Sequence, residues 1–160
     1  MITSACSRRL AFILAIGLAV LMTGCAATVP MASKERDAAA KSFAQAPPDK
    51  ANLYIYRNST FGFALRKFVS IDGKPVGATA AKTYLFKQIE PGKRILSTES
   101  EFSDNTLELD ALPGKTYFVR QYIKMGVFKG GANLELVPEE VARPEVLECE
   151  RAEVLTPTEG

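Results

Sequence analysis

The chain has 160 residues, with 20 Lys and Arg against 18 Asp and Glu. That length fits one domain plus a targeting segment or tail, and the charge balance gives no field strong enough to recruit nucleic acid. Histidine is absent, which excludes every mechanism that needs an imidazole base or metal ligand. These totals leave the molecular activity open.

The first 24 residues read as a secretory signal. Arg8 and Arg9 form a positive start, and Leu10 to Met22 is a run of 13 apolar or glycine residues. Such a run is shorter than the roughly 20 apolar residues a membrane-crossing helix needs. Its order of charge, apolar run and small residues is that of a cleaved leader. Leu21-Met22-Thr23-Gly24-Cys25 resembles the lipobox of bacterial lipoproteins, whose cysteine is acylated and becomes the mature N-terminus. The usual pattern has Leu, Val or Ile three residues before the cysteine; Met22 stands there, with Leu21 one place further out. Several acyl chains, at about 0.8 kcal/mol per buried CH₂, hold a protein to a membrane without a transmembrane helix. Cys25 is therefore the expected lipid-attachment residue. Cys6 leaves with the leader, so Cys149 is left with no intrachain disulfide partner. Ala26, where an Asp would retain the protein at the inner membrane, points by analogy to the inner leaflet of the outer membrane. Losing Arg8 and Arg9 leaves 18 basic against 18 acidic residues, so no polybasic membrane patch is expected.

Residues 25–50 are expected as a lipidated N-terminus and tether. Ser33 could cap a short helix over Lys34–Lys41, stopped by Pro47-Pro48. The shortage of large apolar residues favours a flexible spacer that lifts the domain off the bilayer.

From 51 to 155 the pattern becomes short strands between turn signals. Asn52–Arg57, Phe68–Ile71, Lys74–Gly77, Thr83–Ile89, Lys93–Ser100, Thr106–Asp110, Lys115–Lys124 and Ala132–Val137 all read as strands. Asp72-Gly73, Pro91-Gly92 and Pro113-Gly114 punctuate them. Asp-Gly tolerates the positive φ of a tight hairpin, and Pro-Gly suits a type II turn. The expected fold is all-β: a small antiparallel β-sandwich of about seven strands with a short C-terminal helix. The expected core is Leu53, Ile55, Val69, Ile71, Leu85, Ile95, Leu107, Leu109, Tyr117, Val119, Leu134 and Leu136. Pro138 opens the helix, the acids Glu139 and Glu140 suit its first turn, and Pro144 should break it near Arg143. Residues 145–151 read as a further helical turn or an edge strand.

Three motif groups carry a resemblance: Leu53-Tyr54-Ile55-Tyr56-Arg57; Ile71-Asp72-Gly73-Lys74-Pro75-Val76-Gly77 followed by Glu90-Pro91-Gly92-Lys93; and Pro113-Gly114-Lys115-Thr116-Tyr117-Phe118 followed by Leu136-Val137-Pro138-Glu139-Glu140. In this order, after a lipobox, they resemble the bacterial lipoprotein family known as domain of unknown function 2846. The layout is also similar to PEGA-type and carboxypeptidase-regulatory-type β modules. The resemblance covers about residues 50–150. It implies a small β-sandwich on a lipid anchor and supplies no catalytic residues.

No catalytic residue, metal ligand or cofactor is assigned. Gly126–Gly131 is glycine-rich but lacks the Gly-Lys-Ser/Thr ending of a phosphate loop, so it reads as a hairpin connection with an exposed Phe128. Glu99, Glu101 and Asp104 could serve acid/base chemistry on a glycan or bind calcium, but read better as solvated strand ends. Cys149 reads as an inert, partly buried thiol. Tyr54, Tyr56, Tyr84, Phe86, Phe118 and Tyr122 read better as core material than as a platform on one sheet face for carbohydrate or peptide. Tyr54, Tyr56 and Phe128 are the candidate binding surface. The expected protein is a non-enzymatic, lipid-anchored envelope module facing the periplasm, with an envelope protein or peptidoglycan as partner. The alternatives are a carbohydrate or small-ligand binder and, less favoured, a hydrolase using residues 99–104.

Overall fold

The computed structural model describes residues 26–128 and 130–155. The expected leader and Cys25 lie outside the described residues. Nine strands and two helices follow in order: α1 (Lys34–Lys41), β1 (Ala51–Arg57), β2 (Lys67–Ile71), β3 (Lys74–Thr79), β4 (Thr83–Ile89), β5 (Gly92–Thr98), β6 (Asn105–Ala111), β7 (Thr116–Lys124), β8 (Gly131–Val137), α2 (Glu139–Leu147) and β9 (Glu150–Arg151).

A five-stranded sheet, β8-β7-β1-β4-β9, faces a four-stranded sheet, β3-β2-β5-β6. Most pairings are antiparallel, but β1–β7 and β4–β9 are parallel. The chain crosses to the smaller sheet for β5 and β6, then returns at the end where β1 begins, so β7 runs alongside β1. Between the sheets lie Leu53, Ile55, Leu85, Val119 and Leu134 from one side and Val69, Ile71, Val76, Leu96, Leu109 and Ala111 from the other.

The opposite face of the larger sheet is covered as well. Tyr54, Tyr56, Tyr84, Phe118 and Val137 pack against Ala40 of α1, Ala142 and Val146 of α2, and Cys149. Every residue of β1 is buried. Its alternation explains this: aliphatic Leu53 and Ile55 point into the sandwich, and aromatic Tyr54 and Tyr56 point under the helices.

Several expectations are corrected. The segment expected as a spacer is part of the folded unit. Ser33 Oγ caps α1 by accepting from Arg36 N, Val29 and Ala46 are buried, and Met31 bridges to Ala152. Small residues suffice there because backbone and tyrosine hydroxyl bonds supply the attachment: Ala32 N donates to Arg151 O (2.9 Å), and Tyr54 Oη donates to Ala40 O (2.7 Å). Pro144 does not break α2, which runs on to Leu147. Burial of Ala142 and Val146 against the sheet outweighs one lost backbone bond. Residues 145–151 are both things expected of them, since the helix ends at 147 and an edge strand follows.

Two core assignments fail. In β5 the buried member of the apolar pair is Leu96, and Ile95 is 50% exposed, because the strand alternates the other way, with Thr98 also turned inward. Leu136 is 53% exposed, lying at the end of edge strand β8 beside an open groove with Thr116, Pro138 and Glu139. Leu107 and Tyr117 are half-buried against the core.

Candidate functional site

The strand pairings sort the connections into two ends. The tight turns 72–73, 90–91 and 112–115 lie at one end. The longer loops 58–66, 99–104 and 125–130 lie together at the other.

Arg57, the last residue of β1, organises the first of these loops. Its side chain is fully buried and donates from Nη1 to Leu65 O (2.7 Å) and from Nη2 to Phe61 O (2.9 Å) and Gly62 O. Its Nε finds no acceptor among the described residues. Burial pulls the guanidinium below its ordinary pKa. With three carbonyls drawn inward to the cation, Phe61 and Phe63 are left 54% exposed on the outside. Gly62 sits at φ +69°, and a Cβ there would meet Ile123 at 3.1 Å, so both conformation and space favour glycine.

Glu101 ties the second loop to the third. Its carboxylate accepts from Val127 N (2.7 Å) and Phe128 N. Close approaches complete the bundle: a Cβ on Gly130 would stand 2.7 Å from Leu65, and one on Gly131 would stand 2.5 Å from Ser100 Oγ. Below the loops lies a buried polar layer. Thr79 Oγ1 donates to Gln121 Oε1, Gln121 Nε2 donates to Thr98 Oγ1 (2.6 Å), and Thr98 Oγ1 donates to Phe68 O (3.0 Å). Each of these groups has a partner, so the layer rigidifies the base of the loops without leaving a costly orphan.

The outer surface of this end is apolar. Phe102, Met125, Val127 and Phe128 are 80%, 85%, 79% and 86% exposed, the four highest values among the exposed large apolar residues. Scattered single residues of this kind are ordinary, whereas these four stand on two loops that Glu101 ties together.

Of the expected binding residues, only Phe128 belongs to this surface. Tyr54 and Tyr56 are buried and cannot meet a partner. Their rings lie under the helices, and Tyr56 Oη donates to Glu145. Burial raises the Tyr54 hydroxyl to about 12, and burial with the Glu145 carboxylate raises that of Tyr56 further. Tyr84 and Phe118 share that inner cluster, Phe86 packs half-buried beside it, and the Tyr122 hydroxyl accepts from Asn133. Glu99 accepts weakly from Phe68 N (3.3 Å), and Asp104 is exposed. Cys149 is 1% exposed, its Sγ faces Glu145 O at 3.4 Å, and burial pushes its thiol up to about 12. No group of metal-ligating side chains occurs among the described residues.

Sequence reasoning missed Phe61, Phe63, Phe102, Met125 and Val127, and the role of Arg57. A weak signal existed. Thr60-Phe61-Gly62-Phe63-Ala64 and Ser100-Glu101-Phe102-Ser103-Asp104 hold phenylalanines in segments with no strand or helix period to bury them.

The family model described as "Protein of unknown function (DUF2846)" matches residues 47–132, from just before β1 into β8. A relative from Haemophilus influenzae, described as an uncharacterized protein, is 50% identical over 125 residues, covering 78% of this chain and 74% of that protein. No solved structure matches the chain.

Proposed function

The chain belongs to the DUF2846 family, and from that premise we propose that it is a non-enzymatic, lipid-anchored module of the cell envelope. It faces the periplasm, with the inner leaflet of the outer membrane as its site, and acts through the apolar loop end. The observation that carries the reading is Leu21-Met22-Thr23-Gly24-Cys25 after a charged start and an apolar run. The clustered exposed side chains of the loop end support an interaction role.

Two of the groups considered for other chemistries have structural roles. Glu101 holds the 125–130 loop through two amides, and the aromatic sheet face underlies two helices. These contacts favour structural roles for Glu101 and the sheet tyrosines, and leave Glu99, Asp104 and Phe128 facing solvent.

The test is fractionation of cells carrying the wild type or Cys25→Ser. The wild type should incorporate labelled palmitate and stay with membranes through high-salt washing. Cys25→Ser should lose the label and appear in the soluble periplasmic fraction. A Cys25→Ser variant that still incorporates palmitate, or a wild type that does not, would overturn the anchor.

A further inference from the structure

We infer that the loop end is a membrane-docking face, with Phe102, Met125, Val127 and Phe128 entering the interfacial zone of the bilayer that holds the protein. The inference rests on the lipid-anchor reading and adds an orientation to it.

The first argument is reach. Ala27 N donates to Phe63 O at 3.0 Å, so the folded unit grips the chain two residues after Cys25. Two peptide links span at most about 7.2 Å. An acylated Cys25 therefore brings the bilayer surface to the 58–66 loop, with no spacer to hold the domain away.

The second argument is chemistry. The loops beside that grip carry the most exposed apolar side chains described, and Phe61 and Phe63 stand on the gripped loop itself. Aromatic and aliphatic side chains of this kind favour the headgroup boundary.

The third argument is cost. Backbone groups entering a zone poor in water are expensive unless already bonded. Arg57 satisfies the Phe61, Gly62 and Leu65 carbonyls, and Glu101 satisfies the Val127 and Phe128 amides. The loops are thus prepared to lose water. In sequence the three loops carry Arg66 and Lys129 against Glu99, Glu101 and Asp104, so apolar burial would dominate docking, with little dependence on anionic lipid or salt.

The test uses the intact lipoprotein in vesicles of phosphatidylethanolamine and phosphatidylglycerol. An environment-sensitive fluorophore is attached at Phe128→Cys and, as the opposite-end control, at Lys74→Cys. Cys149 is buried and stays unlabelled. The probe at 128 should shift to the blue and be quenched by brominated acyl chains several-fold more than the probe at 74. Val127→Cys should behave like Phe128→Cys. Equal, water-like emission at both ends, with palmitate present and the protein floating with vesicles, would overturn the docking face and leave the anchor standing. A blue shift at 128 without bromine quenching would assign the face to a protein occupant instead and overturn the lipid assignment. Loss of palmitate and of flotation would overturn the anchor and the inference together.

Discussion

The two ends of the sandwich are built on opposite principles. At the turn end the chain reverses in few residues, and backbone conformation does the work. Asp72 and Gly73 sit at φ +52° and +73°, and Gly92 and Gly114 at +113° and +72°. The Asp72 carboxylate accepts from Ile95 N (2.9 Å) and Arg94 Nη1 (2.9 Å), which locks the hairpin to β5. At the loop end the connections are longer. They are held by side chains reaching across, from Arg57 and Glu101, while apolar groups face outward. The comparison teaches that the most recognisable motifs of this chain mark its scaffold. Its exposed chemistry sits where the sequence has no motif.

The largest test of that contrast is Arg57→Met. It removes the side-chain donor from the Phe61, Gly62 and Leu65 carbonyls, of which Gly62 O keeps Leu65 N, and the folded state should lose about 3 kcal/mol, measured by denaturant unfolding. Hydrogen exchange should rise across 58–66 and stay unchanged at 72–74. A loss below about 1 kcal/mol would mean the loop end holds together without the arginine.

Gly73→Ala probes the turn end. A Cβ there meets nothing within 4 Å, so only the left-handed backbone is penalised. The expected cost is about 1–2 kcal/mol. Asp72 gives a smaller, pH-dependent effect. The Ile95 amide, and after it Arg94, hold its carboxyl below the ordinary 3.8. A lowered folded-state pKa stabilises above the unfolded value and is lost as pH falls through the folded one. The stability difference between wild type and Asp72→Asn should therefore shrink on acidification below about pH 4. A difference that stays constant with pH would sink this account.

The smallest effect on stability is expected from Phe102→Ser and Phe128→Ser. Both side chains lie largely in water, so unfolding midpoints should correspond to changes within about 0.5 kcal/mol. A larger loss would mean that the loop aromatics belong to the scaffold, and the contrast between the ends would collapse.

Much of the fold was legible beforehand. The alternation in Leu107–Leu109 and the apolar run at Leu53–Tyr56 marked strands, and the Asp-Gly and Pro-Gly pairs marked reversals. Less of the candidate site was legible. Phe128 was visible because glycines flank its loop. For Tyr54 and Tyr56 the favoured core reading holds and the binding-surface reading fails; both were open because an aromatic sheet face looks the same in sequence whether it meets solvent or a helix. Residues 26–50 looked like a tether because alanine carries little apolar area, yet tyrosine hydroxyls from the sheet hold that segment in place.

The sequence by itself determined most of the strands and the turn end, because left-handed φ values and period-2 alternation are properties of neighbouring residues. Only the tertiary structure decided which member of the pair Ile95-Leu96 turned inward, which sheet face the helices covered, and that phenylalanines from separate loops share one surface. Those outcomes depend on contacts between segments far apart in the chain, each of which is uninformative alone.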